Sequence, residues 1–112
     1  IKKGICLGFV ICLRENTNYK SINYKFFQNR HNKFFYIDRI AIANKYQSSG
    51  IGSILYNKLL SIKVKFNIPI CAEVNIDPPN ESSINFHRKH GFSEITESTL
   101  KEGYSVVYME VS

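Results

Sequence analysis

Apolar residues along the chain fall into blocks separated by polar stretches, and the blocks differ in period. Ile5 to Leu13 is an almost unbroken apolar run, too continuous for a half-exposed strand and too short for a helix, which predicts a central strand covered on both faces. Gly8 inside it marks a bulge or a close packing contact. Arg14 to Lys33 is polar and aromatic, with asparagines at 16, 18, 23, 29 and 32 as turn signals, and Tyr24-Lys25-Phe26-Phe27-Gln28 as a short helical segment. A stretch of this length is either a lid over a site or a surface excursion. Phe34 to Ala43 returns to strand character and carries Asp38 and Arg39 in its middle. Those two charges either pair at an exposed surface or lie where the strand is splayed open, with Asp38 facing a site.

The clearest helix follows. Ile51, Ile54, Leu55, Leu59 and Ile62 recur at three and four residues, and the pattern stops before Asn67 and Pro69. Residues 68–76 read as a buried strand, closed by Asp77-Pro78-Pro79-Asn80, which can continue neither strand nor helix. Asn80 is a good N-cap for a second helix over 81–90, Gly91 is a good left-handed stop, and Phe92 is placed to pack back. Two further strands, near 93–96 and 105–111, flank a turn at Gly103 and predict an antiparallel hairpin. Strand, loop, helix, strand, helix is an α/β unit with a parallel pair and a right-handed crossover.

Composition narrows this picture. A chain of 112 residues with 44% hydrophobic content closes one core and predicts a single domain over 1–112. The chain has neither a run of about eighteen apolar residues nor a small-residue cleavage pattern near Ile1, so the expectation is a cytoplasmic protein off the membrane. Cys6, Cys12 and Cys71 are odd in number and lack metal-ligand spacing with His31, His87 or His90, which predicts reduced core residues and no metal. The formal charge of +6 comes from lysines spread along the chain. It describes a solvated surface or a surface for polyanions, and an anionic small cofactor satisfies it as well as nucleic acid does.

The chemistry concentrates at Gln47-Ser48-Ser49-Gly50-Ile51-Gly52-Ser53, between a strand and a helix start. Glycines at 50 and 52 let backbone approach a ligand with no Cβ in the way, and unpaired N–H groups at a new helix start favour an anion. This is a phosphate cradle. A nucleotide-triphosphate P-loop does not fit, because no Gly-Lys-Ser/Thr follows.

These residues resemble the GCN5-related N-acetyltransferases, an acyl-CoA-dependent family. Gln47-x-x-Gly50-x-Gly52 fits the family's Arg/Gln-x-x-Gly-x-Gly/Ala loop, and Tyr36 to Ile42 precedes it at the distance of the family's fourth strand. Asn80 to Phe92 fits its Asn-x-x-Ala-x-x-Leu-Tyr-x-x-x-Gly-Phe helix, with Ser83 for alanine and His87 for tyrosine. Asp77-Pro78-Pro79-Asn80 with Phe86-His87 further resembles a subgroup of predicted acetyltransferases within that family, in which a segment like Asn23-Tyr24-Lys25-Phe26-Phe27 precedes the central strand. The resemblance runs from about Gly4 to the end of the chain. It implies that a first strand and one or two helices, which build much of the acceptor pocket, are truncated or supplied by another chain.

The resemblance implies an α/β fold with a mixed, mostly antiparallel sheet, its central parallel pair splayed around acyl-CoA and flanked by helices. It implies transfer of acetyl from acetyl-CoA to a small-molecule or peptide amine by direct attack. The loop Gln47, Ser48, Ser49, Gly50, Ile51, Gly52 and Ser53 would hold the pyrophosphate. Ile40, Ala41 and Ile42 would run along the pantetheine arm, with the Ile40 N–H on the acetyl carbonyl. Asn75, Asn80, Ser83, Phe86 and His87 would line the cofactor's other side, where Asn80 and Phe86 read equally as a helix cap and core packing. Strand alternation puts Asp38 on one face with Tyr36 and Ile40, near the carbonyl, as a base. Glu73, or a water held by Tyr36 or Asn75, is its rival, and Tyr24, Tyr36 and Glu73 are the acceptor-side candidates. His87, as an imidazolium, would return a proton to the thiolate, its alternative being packing. Two other classes compete: an acyl-CoA-binding regulatory module that catalyses nothing, and a small basic nucleic-acid binder, which no motif favours. A homodimer is a candidate assembly.

Overall fold

A computed structural model of the chain describes residues 6–47 and 49–112. Strand β1 (Gly8–Arg14) leads to helix α1 (Ile22–Arg30) and strand β2 (Phe35–Ile42). A 3-10 turn, Asn44–Tyr46, precedes the glycine loop and helix α2 (Ile51–Phe66). Strand β3 (Ile70–Asp77), helix α3 (Glu81–Lys89) and the hairpin β4 (Ser93–Lys101) and β5 (Tyr104–Val111) complete it. The five-stranded sheet has the order β1-β2-β3-β5-β4. β2 and β3 are parallel and the other pairs are antiparallel. Among the described residues no helix is long and apolar enough to cross a membrane.

Each face of the sheet carries its own core. Along β3, Ile70, Ala72 and Val74 pack with Tyr56, Ile84 and Phe92 beneath α2 and α3. The intervening Cys71 joins Tyr24, Phe27, Phe34, Tyr36 and Tyr108 beneath α1, as two-residue alternation requires. The helix ends follow their sequence signals: the Asn80 side chain caps α3 by accepting from the Ser83 N–H at 3.2 Å, and Asn67 closes α2 at φ 54°. Gly91 turns at φ 89° and lets Phe92, 5% exposed, fold back.

Several expectations are corrected. The apolar run read from Ile5 to Leu13 as a central strand contributes β1, which among the described residues is an edge strand of the sheet, and Phe9 and Ile11 are each 42% exposed; residues 1–5 lie outside the described set. Gly8 marks close packing, since a Cβ there would meet the Ile42 Cδ1 at 2.7 Å. The apolar stripe of α2 is rotated from the one the sequence suggests: Ile54 is exposed, while Tyr56, Leu59 and Leu60 face the core. β4 runs to Lys101 because Glu97, Ser98 and Thr99 pair with β5 as a polar edge strand. Cys71 is buried, but Cys6 is exposed and Cys12 only half-buried.

One irregularity in β2 positions the gap between β2 and β3. Ile11 pairs with Arg39 and Cys12 with Ile37, so Asp38 is the extra residue of a β-bulge in β2. Before it, Phe35 and Ile37 face α2 and Tyr36 faces α1; after it, Ile40 faces α2. The bulge also reverses which N–H groups look toward β3. Before it, the Phe35 N–H donates to Pro69 O, toward β3. After it, the Ala43 N–H donates to Leu7 O, toward β1, so alternation turns Ala41 to β1 and Ile40 and Ile42 to the β3 side.

Candidate functional site

β2 and β3 pair at Phe35 with Ile70 and at Tyr36 with Cys71, and then diverge. The N–H groups of Ile40 and Ile42 therefore look into a gap instead of at a neighbouring strand. On the α2 and α3 side that gap opens into a pocket of about 480 Å³. Its walls bring together Ile40, Ile42, Gln47, Gly50, Ile51, Gly52, Ser53, Ser83, Phe86 and His87, ten residues singled out from sequence across three separate elements. Tyr46 and Ser82 line it as well and were not singled out. Both adjoin motif residues: Tyr46 precedes Gln47, and Ser82 lies one turn from Phe86.

The loop end of the pocket is built from local chemistry. Gly50 sits at φ 89° as the N-cap of α2, a conformation that costs other residues strain. The first intrahelical bond runs from the Ile54 N–H to Gly50 O, which leaves the N–H groups of Ile51, Gly52 and Ser53 free of helical partners at the pocket wall. Gln47 folds inward, its Nε2 donating to Ile42 O at 3.3 Å and to Asn44 Oδ1 at 3.2 Å. Ser49 turns away, its N–H and hydroxyl both donating to Tyr46 O. Ser48 lies outside the described residues. A Cβ on Gly52 would stand 3.3 Å from Phe86 Cζ. This glycine thus sets the spacing of α2 and α3 as well as leaving room in the pocket.

His87 does not fit the role of an imidazolium acid. It is 5% exposed, and burial pulls its pKa below the usual histidine value. Its Nδ1 lies 2.8 Å from Ser83 O, an acceptor, so Nδ1 carries the proton. Nε2 then accepts from the Tyr56 hydroxyl at 2.8 Å. The ring is neutral with both nitrogens engaged, and it packs between Tyr56 and Phe92. Tyr56 was not anticipated, although its spacing of four from Gly52 puts it on the pocket side of α2.

Acceptor-side candidates gather on the opposite face. The Tyr36 hydroxyl donates to Glu73 Oε1 at 2.6 Å, and burial, with help from nearby Asp38, pushes the Glu73 carboxyl up to about 7 against the Tyr36 hydrogen bond. The Tyr19 hydroxyl donates to Asp38 Oδ1 at 2.7 Å, and its ring lies 6.3 Å from that of Tyr36. Asp38 is exposed, and the bulge separates it from Ile40, so the shared face expected for Tyr36, Asp38 and Ile40 does not form. Asn75 faces α1, between Val74 and Ile76 of the other core, and is not a wall of the pocket. Asn80 is exposed and occupied in capping, and Ala41 points its N–H to β1. Tyr24 is fully buried, its hydroxyl donating to Arg14 O and accepting from the Thr17 N–H, a place in the core rather than at an acceptor surface.

A family model described as the acetyltransferase (GNAT) family matches residues 2–92. None of the curated proteins matches. Similar solved structures include Arabidopsis thaliana Naa50 in complex with the bisubstrate analogue CoA-Ac-MVNAL, at 24% identity and TM-score 0.71, covering 96% of this chain and 66% of that one. The ribosomal-protein-S18-alanine N-acetyltransferase from Escherichia coli aligns at 19% identity and TM-score 0.70, covering 99% and 64%. The NatC complex bound to Gag peptide and CoA aligns at 15% identity and TM-score 0.70, covering 96% and 62%. The chain thus spans under two thirds of each of these proteins.

Proposed function

Because this chain belongs to the acetyltransferase (GNAT) family, we propose that it moves an acetyl group from acetyl-CoA to an amine of a small molecule or peptide, by direct attack on the thioester. The observation that carries this reading is the pocket itself, which joins a glycine-rich helix start to an unpaired strand edge. The N–H groups of Ile51, Gly52 and Ser53 are suited to the pyrophosphate, where the positive end of α2 adds to their attraction. Ile40 and Ile42 would bond the pantetheine arm, with the Ile40 N–H on the acetyl oxygen as charge develops there. Phe86 and Ser83 would close the other wall.

Glu73 is the base in this reading. A carboxylate whose pKa is pushed up to about 7 takes a proton from an attacking amine more readily than an ordinary carboxylate does. Tyr36 holds that carboxylate in place through its hydroxyl. The amine nitrogen bonds to the acetyl carbon, its proton passes to Glu73, and the carbon–sulfur bond breaks. The leaving thiolate takes its proton from water, since neutral His87 has none directed to spare.

The test is a thioester-consumption assay with acetyl-CoA over a panel of amines, run beside calorimetry of cofactor binding. Binding with acyl transfer supports the reading. Binding without consumption supports the alternative of a regulatory acyl-CoA module, which a chain spanning 62–66% of similar enzymes keeps open. No binding sinks both.

A further inference from the structure

Away from the pocket, three metal-type donors converge on the α1 face of the sheet. Cys71 of β3 and Glu110 of β5 are register partners, so their side chains stand next to each other. His31, the C-cap residue of α1, reaches over both. The His31 nitrogen, the Cys71 sulfur and a Glu110 oxygen all lie within 4.8 Å of one another. Cys71 is fully buried, and among the described residues its sulfur has no hydrogen-bond partner, although it faces this cluster. We propose that His31, Cys71 and Glu110 form a binding site for a zinc-class divalent metal, separate from the acyl-CoA pocket.

Thiolate, imidazole and carboxylate are a donor set suited to Zn²⁺, whose ligand bonds of about 2.0–2.3 Å bring ligands nearer to one another than 4.8 Å. Side-chain adjustments on the order of 1 Å close that difference: the thiol moves in, and the His31–Glu110 contact of 2.7 Å opens. Arg30 donates to both oxygens of Glu110, from Nε to Oε1 at 3.1 Å and from Nη2 to Oε2 at 3.0 Å. The metal would take Oε1 and leave Arg30 on Oε2, an outer partner of the kind that orients carboxylate ligands. Thiolate and carboxylate together neutralise the ion's two charges, and the thiol proton is released on binding. His31 retains 21% side-chain exposure, which gives an entry path and room for a water as fourth ligand. The site would pin the C-terminal end of α1 to β3 and β5.

Titration of the full chain with Co²⁺, then Zn²⁺, under a non-thiol reductant tests this. The expected result is one equivalent bound, with a thiolate-to-cobalt absorption band that Zn²⁺ abolishes. The band should survive Cys6→Ser and Cys12→Ser and vanish in Cys71→Ser. His31→Ala, at a half-buried position less able to unfold the chain, should weaken Co²⁺ binding by about tenfold or more. No band, a band that persists in Cys71→Ser, or unchanged affinity in a folded His31→Ala would overturn the proposal.

Discussion

Glu73 is a carboxyl held in two opposing ways, by burial that favours its acid form and by the Tyr36 hydroxyl that favours its anion. Burial wins, and two measurable consequences follow. If Glu73 is the base, kcat/KM should rise with pH to a plateau above about 7, superimposed on the titration of the acceptor amine. Glu73→Gln should remove that limb and lower kcat by about 10²–10⁴-fold, whereas Asp38→Asn should leave the limb in place. An unchanged profile in Glu73→Gln would take it out of the chemistry. Stability supplies an independent reading. The folded carboxyl holds its proton to higher pH than the unfolded one, so the unfolded state is increasingly favoured as pH rises from the usual glutamate value of 4.5 to about 7. Glu73→Gln should therefore stabilise the fold at pH 8 by roughly 3 kcal/mol, read as a higher melting temperature, and leave it little changed at pH 4. His87 has the opposite sign. Its folded pKa is lowered, so the stability it contributes is present above about 6.5 and is lost as pH falls below that value. His87→Phe should flatten that part of the curve and cost about 1–3 kcal/mol by orphaning the Tyr56 hydroxyl.

Between elements, the critical contact is that of α2 with α3. Sequence makes Gly52 a ligand-approach glycine, but its missing Cβ also accommodates Phe86, which the structure puts at 3.3 Å from that position. Gly52→Val should lose both cofactor affinity and fold stability. Adding Phe86→Ala should restore part of the stability, so that a double-mutant cycle gives a coupling of roughly 1 kcal/mol or more. Strict additivity would show that the two helices are not spaced by this pair. Gly50 differs, because nothing lies within 4 Å of a Cβ there, and Gly50→Ala carries only the strain of its positive φ. The caps, the glycine loop and both pocket helices were legible because each is specified by residues within one turn of itself. The bulge at Asp38 was not legible: it depends on how β1 pairs with β2, and neither Asp38 nor its neighbours carry a local signal for it. That single extra residue decides which N–H groups face the gap and separates Asp38 from Ile40, so reading the base from simple alternation could not succeed. The pairing of Tyr56 with His87 was hidden similarly, since their hydrogen bond joins residues 31 apart in the chain.

Over the whole molecule, the charge of +6 is spread rather than clustered, and its partner in the proposed function is a small polyanion. Such a field has range: at 0.1 M salt it extends about 10 Å, far enough for lysines outside the pocket, Lys45 beside the loop among them, to act on bound phosphates. The N–H groups of Ile51, Gly52 and Ser53 act differently, through short hydrogen bonds that salt screens little. The two contributions separate in one experiment. Acetyl-CoA affinity measured by calorimetry from 0.05 to 0.5 M salt should fall several-fold, and the fall should come mostly from the long-range term. Acetyl-pantetheine, which keeps the thioester and the arm but has no phosphate, should bind weakly and with little salt dependence. Lys45→Gln should reduce the salt slope for acetyl-CoA without altering binding of acetyl-pantetheine. Equal affinities for the two ligands would mean that the phosphates do not lie at the start of α2, and the pocket would then need a different occupant.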